Sequence, residues 1–335
     1  MKKSTCAVLL GLLLVSIVAG RVAEAVEEKT TLRLVTFLPA SEVTGEIPKW
    51  FAKEVEKRSN GTLLIDFRGG PEVIPTFEQV EAVRTGVIDL NLNIGGYIGG
   101  TVPEAPFSSA VKHPAWVSRK IGLFDYWVEI YQKHGLRYLG DWISCWPGEG
   151  GICLFLNKKV QKKEDLRGLR FRSAPNYSPV FKALGITEVM MPASDIYLAL
   201  QRKEIDGTGW PVWAGAYQMA LHEVTKFAID HGFFGGGGVF IMNPSSWNRL
   251  PKKQQDILAS AAADAERIGY DVIIRETTGQ RQKLSAGGVE FIKFQQDEAE
   301  RYLKLAYDSM YEVMRKKLPP EINEKLYKLL SSSGS

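Results

Sequence analysis

Ala82-Val83-Arg84-Thr85-Gly86-Val87-Ile88-Asp89 and Ala199-Leu200-Gln201-Arg202-Lys203-Glu204-Ile205-Asp206 align without a gap. Each stretch ends a helical run. Each is preceded by a strand pattern, a helix pattern and a second strand pattern. Each is followed by glycines and an aromatic residue: Gly95-Gly96-Tyr97 in the first copy, Gly207-Thr208-Gly209-Trp210 in the second. Strands alternating with helices give layered α/β units. Two such units in one chain imply two similar α/β lobes, a clamshell that closes on a small molecule.

Outward from the repeat, the N-terminus reads as a cleavable export signal. Lys2 and Lys3 precede the apolar run 8–18, and Ala23-Glu24-Ala25 fits a small-x-small cleavage site. That run is short for a membrane span of about 20 residues. The expected mature chain starts near Val26, outside the cytoplasm. The net charge of the 335 residues is +4, and cleavage removes Lys2, Lys3, Arg21 and Glu24, which lowers it. No basic stripe interleaved with aromatics accompanies this charge, so a nucleic-acid partner is not expected. Cys145 and Cys153 remain after cleavage. An exported protein can pair them, provided the Cα atoms approach within about 7 Å; the sequence leaves that open. The four histidines lack ligand spacing, and no metal is expected.

In the first unit, strands are expected at 31–37, 63–67 and 87–94, with helices at 48–58 and 77–84. The aromatic-rich helical stretch 115–135 reads as core and lobe packing. Ile152–Leu156 is expected to be a strand crossing between lobes, and Gly235–Gly238 a flexible connection between them. In the second unit, strands at 169–174 and 188–191 flank a helix at 177–184. Ser194 is a candidate N-cap for a helix over 195–202. Pro251 opens the longest helical pattern, which runs past Ile274 and is long enough to span both lobes. A further helix covers 297–317. The expected division is a signal peptide at 1–25, a first lobe at 26–149 with 237–277, a second lobe at 150–236 with 278–330, and a disordered tail at 331–335.

No catalytic motif emerges. The glycine run lacks the lysine of a phosphate loop and the spacing of a dinucleotide turn. Cys153 with a distant histidine, or Glu204 with Asp206, would be the basis of a rival reading as an exported enzyme. Arg172 is the better candidate. It ends a strand beside the small-residue turn Ser173-Ala174-Pro175-Asn176. Ligands of α/β sheets bind at the carboxyl ends of strands. A guanidinium matches a carboxylate and stays charged when desolvated. A surface ion pair would explain Arg172 equally well on these grounds.

The segments Asp165-Leu166-Arg167-Gly168-Leu169-Arg170-Phe171-Arg172, Ser194-Asp195-Ile196-Tyr197-Leu198-Ala199-Leu200-Gln201, Ile205-Asp206-Gly207 and Asn243-Pro244-Ser245-Ser246-Trp247-Asn248-Arg249-Leu250-Pro251 occur in this order. Together they resemble the extracytoplasmic solute receptors of TRAP (tripartite ATP-independent periplasmic) transporters. The resemblance implies a two-lobed α/β periplasmic binding protein that delivers an organic acid to membrane permease subunits. It implies no enzymatic activity, and it puts the family's carboxylate-binding arginine at Arg172.

Positions where related receptors carry polar groups fall here on Trp210, Phe37, Ile152 and Ile94. Tyr97 and Trp213 are candidates for the same pocket wall. One arginine among such walls suits one carboxylate, because an unpaired second one would be costly to bury. The first expectation is therefore an aromatic or bulky apolar monocarboxylate. A small 2-keto or 2-hydroxy acid is the alternative, with Trp210 filling space, and a dicarboxylate comes third. A tryptophan after the Asp-Gly pair is similar to the keto- and hydroxy-acid branch of the family. That branch can use a bound metal, but no acidic cluster here requires one, and no cofactor is expected. A monomer is expected, and a sensory role would use the same clamshell.

Overall fold

The computed structural model describes residues 29–37, 46–143, 148 and 150–332. The chain runs β1 (Thr30–Thr36), α1 (Glu46–Arg58), β2 (Leu63–Gly69), α2 (Gln79–Arg84), β3 (Leu90–Ile94) and α3 (Gly95–Ile98). Then come α4 (Ala115–Lys120), α5 (Leu123–Lys133), β4 (Arg137–Gly140), β5 (Ile152–Leu156), β6 (Arg170–Ser173), α6 (Ser178–Leu184) and β7 (Thr187–Met190). They are followed by α7 (Ile196–Gln201), β8 (Gly207–Pro211), α8 (Leu221–Val224), β9 (Phe227–Phe233), β10 (Gly238–Met242) and α9 (Pro244–Asn248). The chain closes with α10 (Lys252–Ala286), β11 (Glu290–Ile292), α11 (Gln296–Lys317) and α12 (Pro320–Ser331).

The strands form two sheets, ordered β2-β1-β3-β10-β4 and β11-β9-β5-β8-β6-β7. In the first, β1 lies parallel to β2 and β3; in the second, β6 lies parallel to β7 and β8. These are the two copies of the strand–helix–strand unit. Helices must cover such parallel strands, and the connections run along the sheet faces. The result is a two-lobed α/β clamshell, one lobe on each sheet. No described helix is long and apolar enough to cross a membrane.

Two short segments join the sheets. Residues 141–151 lead from β4 in the first sheet to β5 in the second, and 234–237 lead back from β9 to β10. Ile152–Leu156 is therefore not a crossing strand: it lies inside the second sheet, antiparallel to both β8 and β9. The glycine run does connect the sheets, but it is packed rather than loose. Gly237 has φ +103°, and a Cβ there would sit 2.6 Å from Ser109 Oγ. Helix α10 is the third link. At 35 residues it is about 50 Å long. Its first half packs on α1, α4 and β4. Its last turns reach the second lobe, where Arg281 pairs with Asp230 on β9 at 2.5 Å and Gln280 accepts from the Tyr217 N–H at 3.0 Å.

Several local expectations change. Pro251 is the N-cap of α10 rather than its first helical residue. Ser194 does not cap α7; Asp195 occupies that position, and the Ser194 hydroxyl donates to the Asp195 carboxylate at 2.8 Å. Helix α12 continues to Ser331, where a disordered tail was expected to begin, and docks on α5. The signal-peptide reading of 1–25, the Cys145 half of the cysteine pair and residues 333–335 fall outside the described residues. The aromatic stretch 115–135 is core as expected, with Trp127 and Tyr131 fully buried.

Candidate functional site

Arg172 is the second-last residue of β6, at the carboxyl end of a central parallel strand. Its side chain is 1% exposed. A buried guanidinium has five N–H donors to satisfy and a large desolvation cost. Its Nε donates to the Met191 carbonyl at 3.1 Å, and its Nη1 donates to the Tyr177 hydroxyl. The Tyr97 hydroxyl is near enough to act on its charge. No carboxylate is among these partners. Burial opposes the charge, and the two phenol oxygens offset it, so the pKa stays above the ordinary arginine value. The site thus holds a charged, buried cation that lacks an anion.

The surroundings explain how that cation is held. The Tyr177 hydroxyl in turn donates to the Gly209 carbonyl at 3.0 Å, which ties Arg172 to β8. Glu188 on β7 accepts from Ser173 Oγ at 2.6 Å and from Ser178 Oγ at 2.9 Å, which fixes the turn between β6 and α6. Tyr97 comes from α3 of the first lobe and lines the same cavities as Arg172, so the site spans the cleft. A Cβ on Gly96 would lie 2.6 Å from Asn176 Cβ, so only glycine lets the lobes approach this far.

Two adjoining cavities meet at Arg172. The inner one, about 70 Å³, is lined by all seven residues singled out in the sequence: Arg172, Trp210, Phe37, Tyr97, Trp213, Ile152 and Ile94. The outer one, about 360 Å³, shares Phe37, Tyr97, Arg172 and Trp210 and adds Phe77, Met190, Met191 and Met219. Among the described residues, Arg172 is the sole charged side chain on either wall. Trp210 lies under the guanidinium, 5.7 Å from ring centroid to Cζ. Its indole N–H donates to the Ala214 carbonyl at 2.9 Å, and that of Trp213 to the Gly150 carbonyl at 2.8 Å. Both indoles therefore present apolar faces rather than donors to the cavity.

Sequence reasoning did not find Tyr177, Ile143 or Phe234, and it gave Asn176 only as part of a turn; all four line the inner cavity. Tyr177 looks like an ordinary residue at a helix start. Its role depends on the turn that swings its ring under Arg172, and no spacing rule reports that.

The two groups that could have supported catalysis are committed elsewhere. Cys153 is a free, buried thiol, and burial pushes its pKa up to about 12, where little nucleophilic thiolate forms. Asp206 accepts from the Arg170 N–H at 2.8 Å and anchors a strand start.

Similar folds occur in solved TRAP periplasmic solute-binding proteins. The chain is 18% identical to one from Desulfovibrio salexigens with bound orotic acid, at a TM-score of 0.78, covering 91% of this chain and 99% of that one. It is 21% identical to one from Colwellia psychrerythraea with bound calcium and pyruvate, at a TM-score of 0.75, covering 90% and 93%. Among curated proteins, it is 26% identical over 293 residues to a monocarboxylate 2-oxoacid-binding periplasmic protein of Nostoc, covering 82% of this chain and 77% of the relative. Calcium takes six to eight oxygen ligands, carboxylates foremost. The described walls of both cavities carry no carboxylate, and no group of three or more His, Cys, Asp or Glu gathers among the described residues. Among the described residues, those beside Arg172 do not fit a cation. The profile of DctP, the bacterial extracellular solute-binding proteins of family 7, matches residues 34–317, and the chain belongs to that family of solute receptors, which are not enzymes.

Proposed function

We propose that this receptor captures a small monocarboxylate of the 2-oxo- or 2-hydroxy-acid size and hands it to a TRAP permease. The observation that carries this reading is the buried Arg172 guanidinium, without a carboxylate partner, on the wall of a cavity of about 70 Å³. A carboxylate supplies the missing countercharge, and fork-to-fork pairing makes it a strong one. A cavity near 150 Å³ takes up benzene, so the inner cavity suits a smaller body than the bulky acid ranked first from the sequence. The 2-oxoacid-binding relative from Nostoc supports the same size class. A dicarboxylate is disfavoured because the described walls offer no second cation.

The outer cavity supports a second reading. An aromatic or bulky acid could keep its carboxylate on Arg172 and lay its body against Phe77, Met190 and Met219. The orotic-acid-bound relative favours that alternative. Thermal shift with a panel of monoacids of rising size separates the two. Ligand at about a hundred times its Kd stabilises by about 2.7 kcal/mol, and Arg172→Ala should abolish every shift. Normal affinity in that variant would sink both readings.

In this reading the chain is exported by a cleavable signal at 1–25 and works as a monomer in the periplasm. The lobes divide at 26–149 with 237–277 and 150–236 with 278–330. They close by hinging at the two crossing segments while α10 bends across both. Its partners are the membrane subunits of the transporter.

A further inference from the structure

The inner cavity holds a second polar group that nothing in the fold uses. Asn176 lies four residues after Arg172, on the same turn, and is 7% exposed. It lines the inner cavity, and its Oδ1 is buried without a hydrogen-bond partner. Buried polar atoms are paired in nearly all native structures, and each exception needs a reason. None of its neighbours on the cavity wall donates to it. The indole N–H groups of Trp210 and Trp213 are spent on carbonyls, and the Tyr177 hydroxyl donates to Gly209. A Cβ on Gly96 of the opposite lobe would lie 2.6 Å from the Asn176 Cβ, so the two lobes meet at this residue. The atom left over is an acceptor, so the group that completes it must be a donor.

Resting on the assignment of a small monocarboxylate to Arg172, we propose that Asn176 is a specificity residue that selects a 2-hydroxy acid over its 2-oxo counterpart. The inner cavity is too small for Arg172 and Asn176 to be served by distant parts of one ligand. With the carboxylate on Arg172, the group that reaches Asn176 is a substituent on the adjacent carbon. A hydroxyl there donates to Oδ1. A ketone offers only lone pairs and leaves Oδ1 unpaired in the closed cleft. An unsubstituted acid leaves it unpaired as well. Sites built to bond a ligand hydroxyl discriminate strongly against analogues that lack it. The contact forms only when Gly96 and Asn176 meet, so it contributes to retention in the closed state rather than to first docking.

The test uses three acids of equal carbon number: lactate in both enantiomers, pyruvate and propionate. Binding to the mature protein is read by calorimetry or by quenching of Trp210 and Trp213 fluorescence. The expected result is that one lactate enantiomer binds about tenfold or more tighter than pyruvate and propionate, the scale of one hydrogen bond to a buried group. In Asn176→Ala, the advantage of lactate over propionate should shrink to within about twofold. Asn176→Leu, which fills the space without a polar atom, should behave the same way and guards against water filling the alanine gap. Wild-type preference for pyruvate overturns the proposal. So does a lactate-to-pyruvate ratio unchanged by either variant, or the absence of binding by any of these acids. Retention of binding in Arg172→Ala is a different failure, that of the carboxylate site itself.

Discussion

The two lobes use one local design and finish it differently. In the first, Asp89 accepts from the Arg33 backbone N–H at 2.8 Å and from its Nε at 2.8 Å, and Arg33 Nη2 donates to the Gly86 carbonyl. In the second, Asp206 accepts from the Arg170 N–H at 2.8 Å and from its Nε at 3.4 Å, and Arg170 Nη2 donates to the Lys203 carbonyl. The repeat visible in the sequence is thus an aspartate that fastens the end of one loop to an arginine of the neighbouring strand. Counting on from each arginine, Val35 in β1 corresponds to Arg172 in β6. Val35 is fully buried and packs in an apolar core. At the matching place the second lobe buries a guanidinium. A scaffold that is stable with valine there has no structural need for arginine, which is in keeping with the ligand-binding role proposed for the charge.

Exchanging the lobes' residues breaks this difference most directly. Arg172→Val gives the second lobe the residue of the first. Acid binding should weaken by about a hundredfold or more, since two charge-assisted hydrogen bonds are worth about 1.5–3 kcal/mol each. The ligand-free protein should unfold at the same denaturant concentration or a higher one, because a buried cation without an anion has been removed. Titration calorimetry and urea unfolding of the same preparation read both outcomes. A large loss of stability would make Arg172 structural.

The two anchoring aspartates should differ in the opposite sense. Asp89 is buried, and it also accepts from Ser246 Oγ at 2.6 Å. Burial raises its pKa, but the bonds from Arg33 and Ser246 outweigh that and hold it below the usual carboxylate range. Its folded pKa is lowered, so its stabilisation is present at neutral pH and is lost as pH falls through the carboxylate range. Asp89→Ala should cost about 3–5 kcal/mol, the range for breaking a buried charged network. Asp206 is half-exposed with Arg170, and Asp206→Ala should cost about 1 kcal/mol or less. Equal costs in urea unfolding would mean that burial is not what separates the two copies.

This comparison also indicates what the sequence could and could not disclose. The repeated helix–strand units and the long helix from Pro251 were legible because each is a local pattern, whereas the apolar walls around Arg172 were reached through the family resemblance. Chain crossings were less legible. Ile152–Leu156 reads as a buried strand, but which sheet receives it depends on pairing with β8 and β9, far apart in sequence. Tyr177 and Asn176 escaped notice as site residues because their orientation follows from the Glu188-braced turn and from contact with Gly96 in the other lobe. The size of the inner cavity, on which the proposed order of ligands rests, was likewise invisible.

A further asymmetry lies where the first lobe passes into the crossing segment. Asp141 is buried against Tyr138, with Glu266 of α10 and Arg119 of α4 as its charged neighbours. Burial, then repulsion from Glu266, outweigh the Tyr138 hydrogen bond and Arg119 and push its pKa up to about 8. Arg119 is engaged with Glu266, donating to both of its oxygens at 2.7 and 2.8 Å. The folded pKa is raised, so the folded state binds the extra proton. Stability should therefore fall as pH rises from about 4 to about 8 and level off above that, with a slope of at most about 1.4 kcal/mol per pH unit. Asp141→Asn should flatten the curve of unfolding free energy against pH over that window. An unchanged curve would mean that Asp141 is ionised in the folded protein.

The smallest difference is a backbone one. Gly86 and Lys203 occupy the same place in the two copies, and both are left-handed, with φ of 77° and 59°. Both carbonyls accept from an arginine of the neighbouring strand, so the same loop shape is needed twice. Glycine adopts it freely, whereas a residue with a Cβ is strained there by about 1–2 kcal/mol. Glycine also leaves the unfolded chain more freedom to lose, which offsets part of the gain from removing the Cβ. Lys203→Gly should therefore stabilise by about 0.5–1 kcal/mol, and Gly86→Ala should destabilise by about 1 kcal/mol. Lys203 lies in an exposed stretch, so lost packing should not mask the effect. If Lys203→Gly instead destabilised the protein in urea, the lysine side chain would be contributing something that its counterpart in the first lobe lacks, and the two loops would be alike in shape only.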